Sequence, residues 1–446
     1  MTHGRLVGED RVVDAIATDT RALPAQGAAL FVALKGARFD GHDHVSKAAQ
    51  AGVAAALVSR EVDAGVAQIV VADTERALAD FATVVQRERP AKVVAITGSN
   101  GKTSVKSLTL SILERVGTTY ATPGNCNNEI GLPLAVIDAP EDAQFAIYEM
   151  GAGKPGDIAY LTAIARPDVS VVNNIAPGHL ERMGSLLGVA DTKAAIYDAL
   201  PSDGVAVINA DDAFAPYFAE RAHGRRLVRF GLEASADITA RDIETRVDGS
   251  RFVLVAPQGE ADIALALPGR HNVRNALAAA ALALNAGAPL QAVADGLNAA
   301  RPVAGRLIAH RLDNGAVLID DSYNANPGSL AAAIDTLAAG AGEAWLVLGD
   351  MRELGADAEA MHAEAGRRAK GAGIRRLFTL GPHSAAATQA FGEGATHFES
   401  HAVLAETLRS ELREGVRVLV KGSRGSAMDR IVAALVGTKE GDTHAA

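Results

Sequence analysis

A glycine-flanked lysine followed by a hydroxyl, at the end of an apolar run, is a pattern that can hold polyphosphate oxygens and a magnesium ion. It occurs in Ile96-Thr97-Gly98-Ser99-Asn100-Gly101-Lys102-Thr103-Ser104. Glycines let backbone N–H groups converge on phosphate oxygens, and a following helix adds the partial positive charge of its first turn. Lys102 is suited to neutralising β- and γ-phosphate charge, and Thr103 to ligating Mg2+. The general phosphate loop has its first glycine five residues before the second; here that position is Ile96, so the general form is not met. Downstream, Glu149 closes the apolar run 145–148, and His179 closes Asn173-Asn174-Ile175-Ala176-Pro177-Gly178-His179. Each has a plain reading alone, a strand-end surface charge and a packing histidine, but beside a nucleotide both are candidate metal ligands. Lys193 stands fourteen residues after His179 in a helix-like stretch and alone reads as a solvated lysine.

These groups need a frame. The β-branched run 93–96 leads into the loop, and Val105, Leu108, Ile112 and Val116 then fall on one helical face. Runs 145–148, 169–172 and 205–208 alternate with helical patterns, which argues for βαβ units and a buried parallel sheet. The habit returns at 317–319, 345–348, 377–380 and 416–420. Residues before about 88 mix short apolar runs with polar turns, and Gln86-Arg87-Glu88-Arg89-Pro90 reads as a linker. The expectation is an α/β chain of three domains: residues 1–88, a central P-loop-type parallel-sheet ATPase domain over 89–308, and a C-terminal Rossmann-like domain over 309–446. Clefts between such domains are favoured ligand sites.

Composition narrows the function. The 446 residues carry 43 Lys and Arg against 53 Asp and Glu, a net charge of −10, which disfavours general binding to nucleic acid or anionic membrane. A single cysteine, Cys126, excludes an internal disulfide and a cysteine-built zinc site. The longest apolar run, 276–284, is far short of the roughly 20 residues that span a bilayer. No leader-like apolar segment opens the chain, so a soluble cytoplasmic protein is expected.

Thr-Gly-Ser-Asn-Gly-Lys-Thr resembles the loop of the ATP-dependent Mur ligase superfamily, amide-forming enzymes that activate a carboxylate as an acyl phosphate. The resemblance implies ATP bound by Gly98, Ser99, Asn100, Gly101, Lys102, Thr103 and Ser104. It implies Mg2+, two ions being expected, held by Thr103, Glu149, His179 and Lys193, the lysine being carbamylated in the family. Carbamylation needs a neutral amine and so a locally lowered pKa. Gly269-Arg270-His271-Asn272-Val273-Arg274-Asn275 is similar to the family's His-Asn-x-x-Asn signature, which contacts the adenine side of ATP through residues matching Asn272 and Asn275. Arg306 matches an arginine on the nucleotide phosphates, and Asp321 a ribose ligand. The implied catalytic set is Lys102, His179, Lys193 and Arg306. The Asn-rich turn 125–128 is similar to a segment near the acceptor substrate. Lys421 and Arg424 could bind an anionic substrate group.

Within the superfamily, Asp320-Asp321-Ser322-Tyr323-Asn324-Ala325-Asn326-Pro327 and Leu348-Gly349-Asp350-Met351-Arg352-Glu353-Leu354-Gly355 resemble the branch that adds D-alanyl-D-alanine to UDP-N-acetylmuramoyl-tripeptide. Asp19-Thr20-Arg21 and Phe39-Asp40-Gly41-His42-Asp43 resemble its UDP-sugar-binding domain. The resemblance thus implies small-molecule partners, with a monomer expected and no nucleic-acid or membrane partner. The alternatives are a ligase that adds a diamino acid to the shorter precursor, and a nucleotide-binding protein without ligase chemistry.

Overall fold

The β-branched runs become strands wherever helices cover both their faces. A computed structural model describes residues 4–24, 28–246 and 248–437. Its central sheet has six strands, all parallel. From one edge they run Arg226–Phe230, Val205–Asn209, Val169–Val172, Lys92–Thr97, Phe145–Glu149 and Thr119–Ala121. Lys92–Thr97 is first in sequence yet lies inside the sheet, with later strands on either side. Loops leaving its C-terminal end therefore open into the crevice where strand order reverses, the usual ligand position in such sheets.

Helices Lys102–Leu113 and Arg270–Ala286 cover one face, burying Val105, Leu108 and Ile112 with Ile96 and Val171. Val116, expected on that helical face, lies beyond the helix end and is exposed, because the helix stops at Leu113. Helices Asp157–Ala165 and Leu186–Asp198 cover the other face. The 276–284 run forms the buried middle of Arg270–Ala286. Alanine there suits a helix packed on both sides, since small side chains let it approach closely. Among the described residues no helix is long and apolar enough to cross a membrane.

The helix's outer side meets an element that the alternation reading missed. Thr239–Thr245, Ser250–Ala256 and Gly259–Leu265 form an antiparallel sheet. Phe252, Leu254 and Ala256 face the core while Arg251 is exposed, the period-two pattern of a sheet covered on one face. Asp248-Gly249 and Gln258-Gly259 were its turn signals.

The N-terminal sheet has five strands, parallel except for edge strand Arg5–Val7. The linker reading of 86–90 needs correction. Helix Thr74–Glu88 runs through Gln86, whose side chain is buried and accepts a 2.9 Å hydrogen bond from the Tyr148 hydroxyl. Ala79 and Ala82 of the same helix join the core of the central sheet. Only a short stretch after Glu88 precedes strand Lys92–Thr97.

The third sheet has six strands, parallel except for edge strand Ile308–Arg311, which pairs with Val317–Asp321. Helix Pro327–Ala338 starts at a capping box made by Asn326 and Ser329.

Tyr197 ties helix to sheet. Its buried hydroxyl accepts from Val172 N at 2.9 Å and donates to Val207 O at 2.8 Å. Tyr197→Phe leaves that buried N–H without its partner, so a loss of about 1–3 kcal/mol is expected, read as a lower urea midpoint at unchanged slope.

Candidate active site

The loop 98–101 leaves the centre of the parallel sheet in a shape that only glycine allows at one point. Gly101 has φ +79, and a Cβ there would stand 2.5 Å from both Asn173 Nδ2 and Asn275 Oδ1. Those two atoms belong to an amide chain. Asn272 Nδ2 donates to Pro268 O (2.8 Å), Asn275 Nδ2 to Asn272 Oδ1 (3.1 Å), and Asn173 Nδ2 to Asn275 Oδ1 (3.0 Å) and Asn100 O (2.9 Å). Asn174 completes the hold, accepting from Asn100 N through Oδ1 and from Ser99 N through its carbonyl, both at 2.9 Å. Asn272 and Asn275, expected beside adenine, are buried, and their Nδ2 donors are spent inside the chain. Sequence reasoning gives Asn173 and Asn174 no role. Their signal was two amides directly after a fully buried strand.

Lys102 begins the helix, and its ammonium donates to Gly98 O at 2.8 Å. Burial lowers its pKa; Glu149 opposes that and Arg306 adds to it. Glu149 lies one strand away, paired in register with Ile96. Its Oε1 accepts from Asn127 Nδ2 at 3.0 Å, which brings the Asn-rich turn to the site. Its Oε2 lies 3.3 Å from Lys106 Nζ but accepts no hydrogen bond, so the contact is one of charge. Burial alone would raise this carboxyl. The Lys106 and Lys102 ammonium groups, with Asn127 and Thr103, hold it below the usual carboxylate range. Lys106, which sequence reasoning passed over, also donates to Thr122 O (2.8 Å) and Gly124 O (3.0 Å) and so anchors the turn.

Lys193 is 2% exposed, on helix Leu186–Asp198, and makes no hydrogen bond or ion pair among the described residues. Burial first, and Lys102 second, lower its pKa well below that of a free lysine, which favours the neutral amine. His179 lines the same cavity as Glu149. Its Nδ1 lies 2.5 Å from Glu353 Oε2 of the third sheet's loops. Burial lowers its pKa against the pull of Glu353.

From the third domain, Asn326 Nδ2 donates to Asn100 Oδ1 at 2.7 Å. Just before that domain, Arg306 Nη2 donates to Thr103 Oγ1 at 2.9 Å, with its guanidinium 4.5 Å from the Tyr323 ring centre. Asp321 is held by Lys421 at 2.6 Å, although burial raises its pKa. Lys421 also donates to Asn324 O, so the expected anion-binding lysine is paired within its own sheet. Arg424 lies 5.7 Å from the Tyr323 ring. A cavity of about 670 Å³ joins these parts, lined by Lys102, Thr103, Glu149 and His179 on one side and by Arg306, Asp321 and Asn326 on the other. Ser104 also lines it, and Lys193 does not.

A hard cation fits at Thr103 and Glu149, where a hydroxyl faces a buried anionic oxygen that lacks a hydrogen bond. Among the described residues no three or more His, Cys, Asp or Glu side chains gather to hold a metal ion.

The chain is similar to known proteins along most of its length. Residues 13–96 match the Mur ligase family catalytic domain, 96–283 the Mur ligase middle domain, and 305–424 the Mur ligase glutamate ligase domain. A UDP-N-acetylmuramoyl-tripeptide--D-alanyl-D-alanine ligase of Escherichia coli (strain K12) is 44% identical over 436 residues, covering 97% of this chain and 96% of its own. Its namesake in Bacillus subtilis (strain 168) is 36% identical, covering 96% and 94%. Among solved structures, MurF from Acinetobacter baumannii superposes with a TM-score of 0.93 at 33% identity, over 98% of this chain and 97% of that one. MurF ligase from Thermotoga maritima, in complex with ADP, gives 0.86 at 26% identity, over 95% and 97%.

One pH effect follows from the first turn of helix Arg270–Ala286. Burial, with Lys421 and Arg274 nearby, pushes His271 down from 6.5 to about 4. The unfolded chain then takes up a proton that the folded one refuses, so stability falls as pH drops from 6.5 to 4. His271→Gln is expected to remove up to about 3 kcal/mol of that fall, read as the difference between urea titrations at pH 7 and pH 4.

Proposed function

This chain belongs to the Mur ligase family, and from that premise we propose how its site works. The chain is an ATP-dependent ligase that joins D-alanyl-D-alanine to UDP-N-acetylmuramoyl-tripeptide, completing the pentapeptide precursor of peptidoglycan. The observation that carries the mechanism is the placement of Lys102 and Thr103 at the strand-order reversal, with Arg306 bonding Thr103 and Asn326 bonding Asn100 of the same loop.

The tripeptide carboxylate attacks the γ-phosphorus of ATP, releasing ADP and forming an acyl phosphate. The dipeptide's neutral amine then attacks the acyl carbon; a tetrahedral intermediate expels phosphate, and the amine's proton leaves. Positioning and charge neutralisation supply most of the catalysis in such transfers. Lys102 and Arg306 neutralise the transferring phosphoryl group. Residues Gly98, Ser99, Asn100, Gly101 and Ser104 cradle phosphate oxygens, Asn272 and Asn275 shape the loop on the adenine side, and Asp321 takes the ribose. For Asp321 that means exchanging Lys421 for the nucleotide. Mg2+, when bound, would neutralise phosphate charge, and Thr103, Glu149, His179 and Lys193 would hold it. Lys193 takes part as a carbamate: its neutral amine adds to CO2, forming an N–C bond and releasing a proton. Its burial without a partner supports that role.

The domains divide the work: residues 1–88 take the UDP-sugar, 89–308 the ATP and metal, and 309–446 the incoming dipeptide. The enzyme works as a monomer in the cytoplasm, where ATP is available and a lone cysteine is unexceptional.

Phosphate release with ATP, UDP-N-acetylmuramoyl-tripeptide and D-alanyl-D-alanine tests this reading. Release should need all three, and a single diamino acid in place of the dipeptide should give none. Lys102→Ala should lower the rate about 100- to 1000-fold. Lys193→Ala should be inactive and partly rescued by small carboxylates. Full activity without Lys193, or no rescue, would remove the carbamate from the mechanism.

A further inference from the structure

We propose that Glu353, carried by the third domain, is the positioning carboxylate of His179, so that the divalent cation is held fully only when that domain is docked. This inference rests on the metal-dependent reading above and adds a residue to it.

The contact crosses between domains, with His179 Nδ1 2.5 Å from Glu353 Oε2. Both side chains are about half exposed, at 44% and 53%. As a surface ion pair the contact would add little stability, so folding energy does not account for it. Both residues also hold left-handed backbones, φ +54 at His179 and +61 at Glu353, a conformation that non-glycine residues keep only when their surroundings impose it.

The surroundings of Glu353 do impose it. Asp350 Oδ1 accepts from Ser384 N (2.8 Å), Met351 N donates to His362 Nε2 (2.9 Å), and Arg352 N donates to Ser423 Oγ (2.9 Å). Arg352 Nη2 adds a bond to Gly425 O at 2.9 Å. The loop is thus braced from several sides within its own domain. Among the described residues, the Glu353 side chain has no polar partner other than His179. Nearby, Asn326 bonds Asn100 of the phosphate loop, and Gly355 lies against Glu181. The brace and the phosphate loop therefore move together only while the two domains stay in contact.

The chemistry follows from the two ring nitrogens. A carboxylate at Nδ1 keeps the proton there and leaves Nε2 as a neutral lone-pair donor, the usual arrangement behind a metal-binding histidine. The Nε2 atom of His179 makes no hydrogen bond among the described residues. Withdrawal of the third domain removes the carboxylate, and the imidazole loses both its orientation and its tautomer.

The test uses the full chain with Mn2+ and a non-hydrolysable ATP analogue, the metal followed by electron paramagnetic resonance. Glu353→Ala should weaken Mn2+ binding about 10- to 100-fold, and Glu353→Gln should fall between it and the parent protein. Analogue affinity measured in EDTA should stay unchanged, which separates the effect from general damage to the cleft. Because Glu353 acts through His179, the double variant with His179→Ala should bind Mn2+ no more weakly than His179→Ala alone. The inference is overturned by Glu353→Ala binding within about twofold of the parent, by equal losses in EDTA, or by losses that multiply in the double variant. A parent protein that binds no Mn2+ with the analogue overturns the metal reading of the site itself.

Discussion

The site depends on one constraint: the backbone at Gly101 must pass between two buried asparagines with no room for a side chain. Neutral amides can do this where charges could not. Each donates and accepts, so a row of them satisfies its members without placing an ion near incoming phosphate. The row reaches from Pro268 through Asn272, Asn275 and Asn173 to Asn100 O. It holds the loop's carbonyls inward, and the loop's shape in turn sets where Lys102 and Thr103 begin their helix. A slack loop would spread the phosphate-binding N–H groups, and the cleft would lose its pre-organised polarity.

Around this neutral frame the charges are few, buried and mutually dependent. Lys102 and Lys193 are both depressed by burial; Arg306 lowers Lys102 further, and Lys102 lowers Lys193 further. Glu149 stays anionic because two lysines face it. The chain's net charge of −10 is therefore a poor guide to what an anionic nucleotide meets. The local field in the cleft is set by side chains drawn from the central sheet and from the edge of the third.

The phosphate loop, the parallel sheet and the third sheet were legible in the sequence because each rests on a short-range pattern. Apolar runs mark strands, and Gly-Lys-Thr directly after such a run marks the loop. Several features rest on pairings that no local pattern encodes. Helix Thr74–Glu88 passes through a stretch whose charges read as a linker, because Gln86 finds its partner in Tyr148, far along the chain. The antiparallel sheet 239–265 hid inside an alternation that seemed continuous, its turns the only local sign. His179 was read as a metal ligand, but its contact with Glu353 across the domains had no local sign. Lys421 drew notice as a residue for an anionic substrate group, and in the structure it is paired with Asp321. Residue type announces which chemistry is possible, whereas partners across a domain boundary decide which atoms remain free for it.

The amide row also bears on how the protein is made. Strand Lys92–Thr97 and its loop leave the ribosome early, but the helix bearing Asn272 and Asn275 emerges long after. A nascent chain that ends before that helix has the loop's sequence without the amides that shape it, and one face of its parallel sheet lacks the alanine-rich cover. Contacts of such sequence separation form late and slowly. The middle domain must therefore persist on the ribosome as an incomplete sheet, with apolar surface open to chaperones or to neighbouring chains. Its capacity to bind nucleotide is among the last properties it acquires.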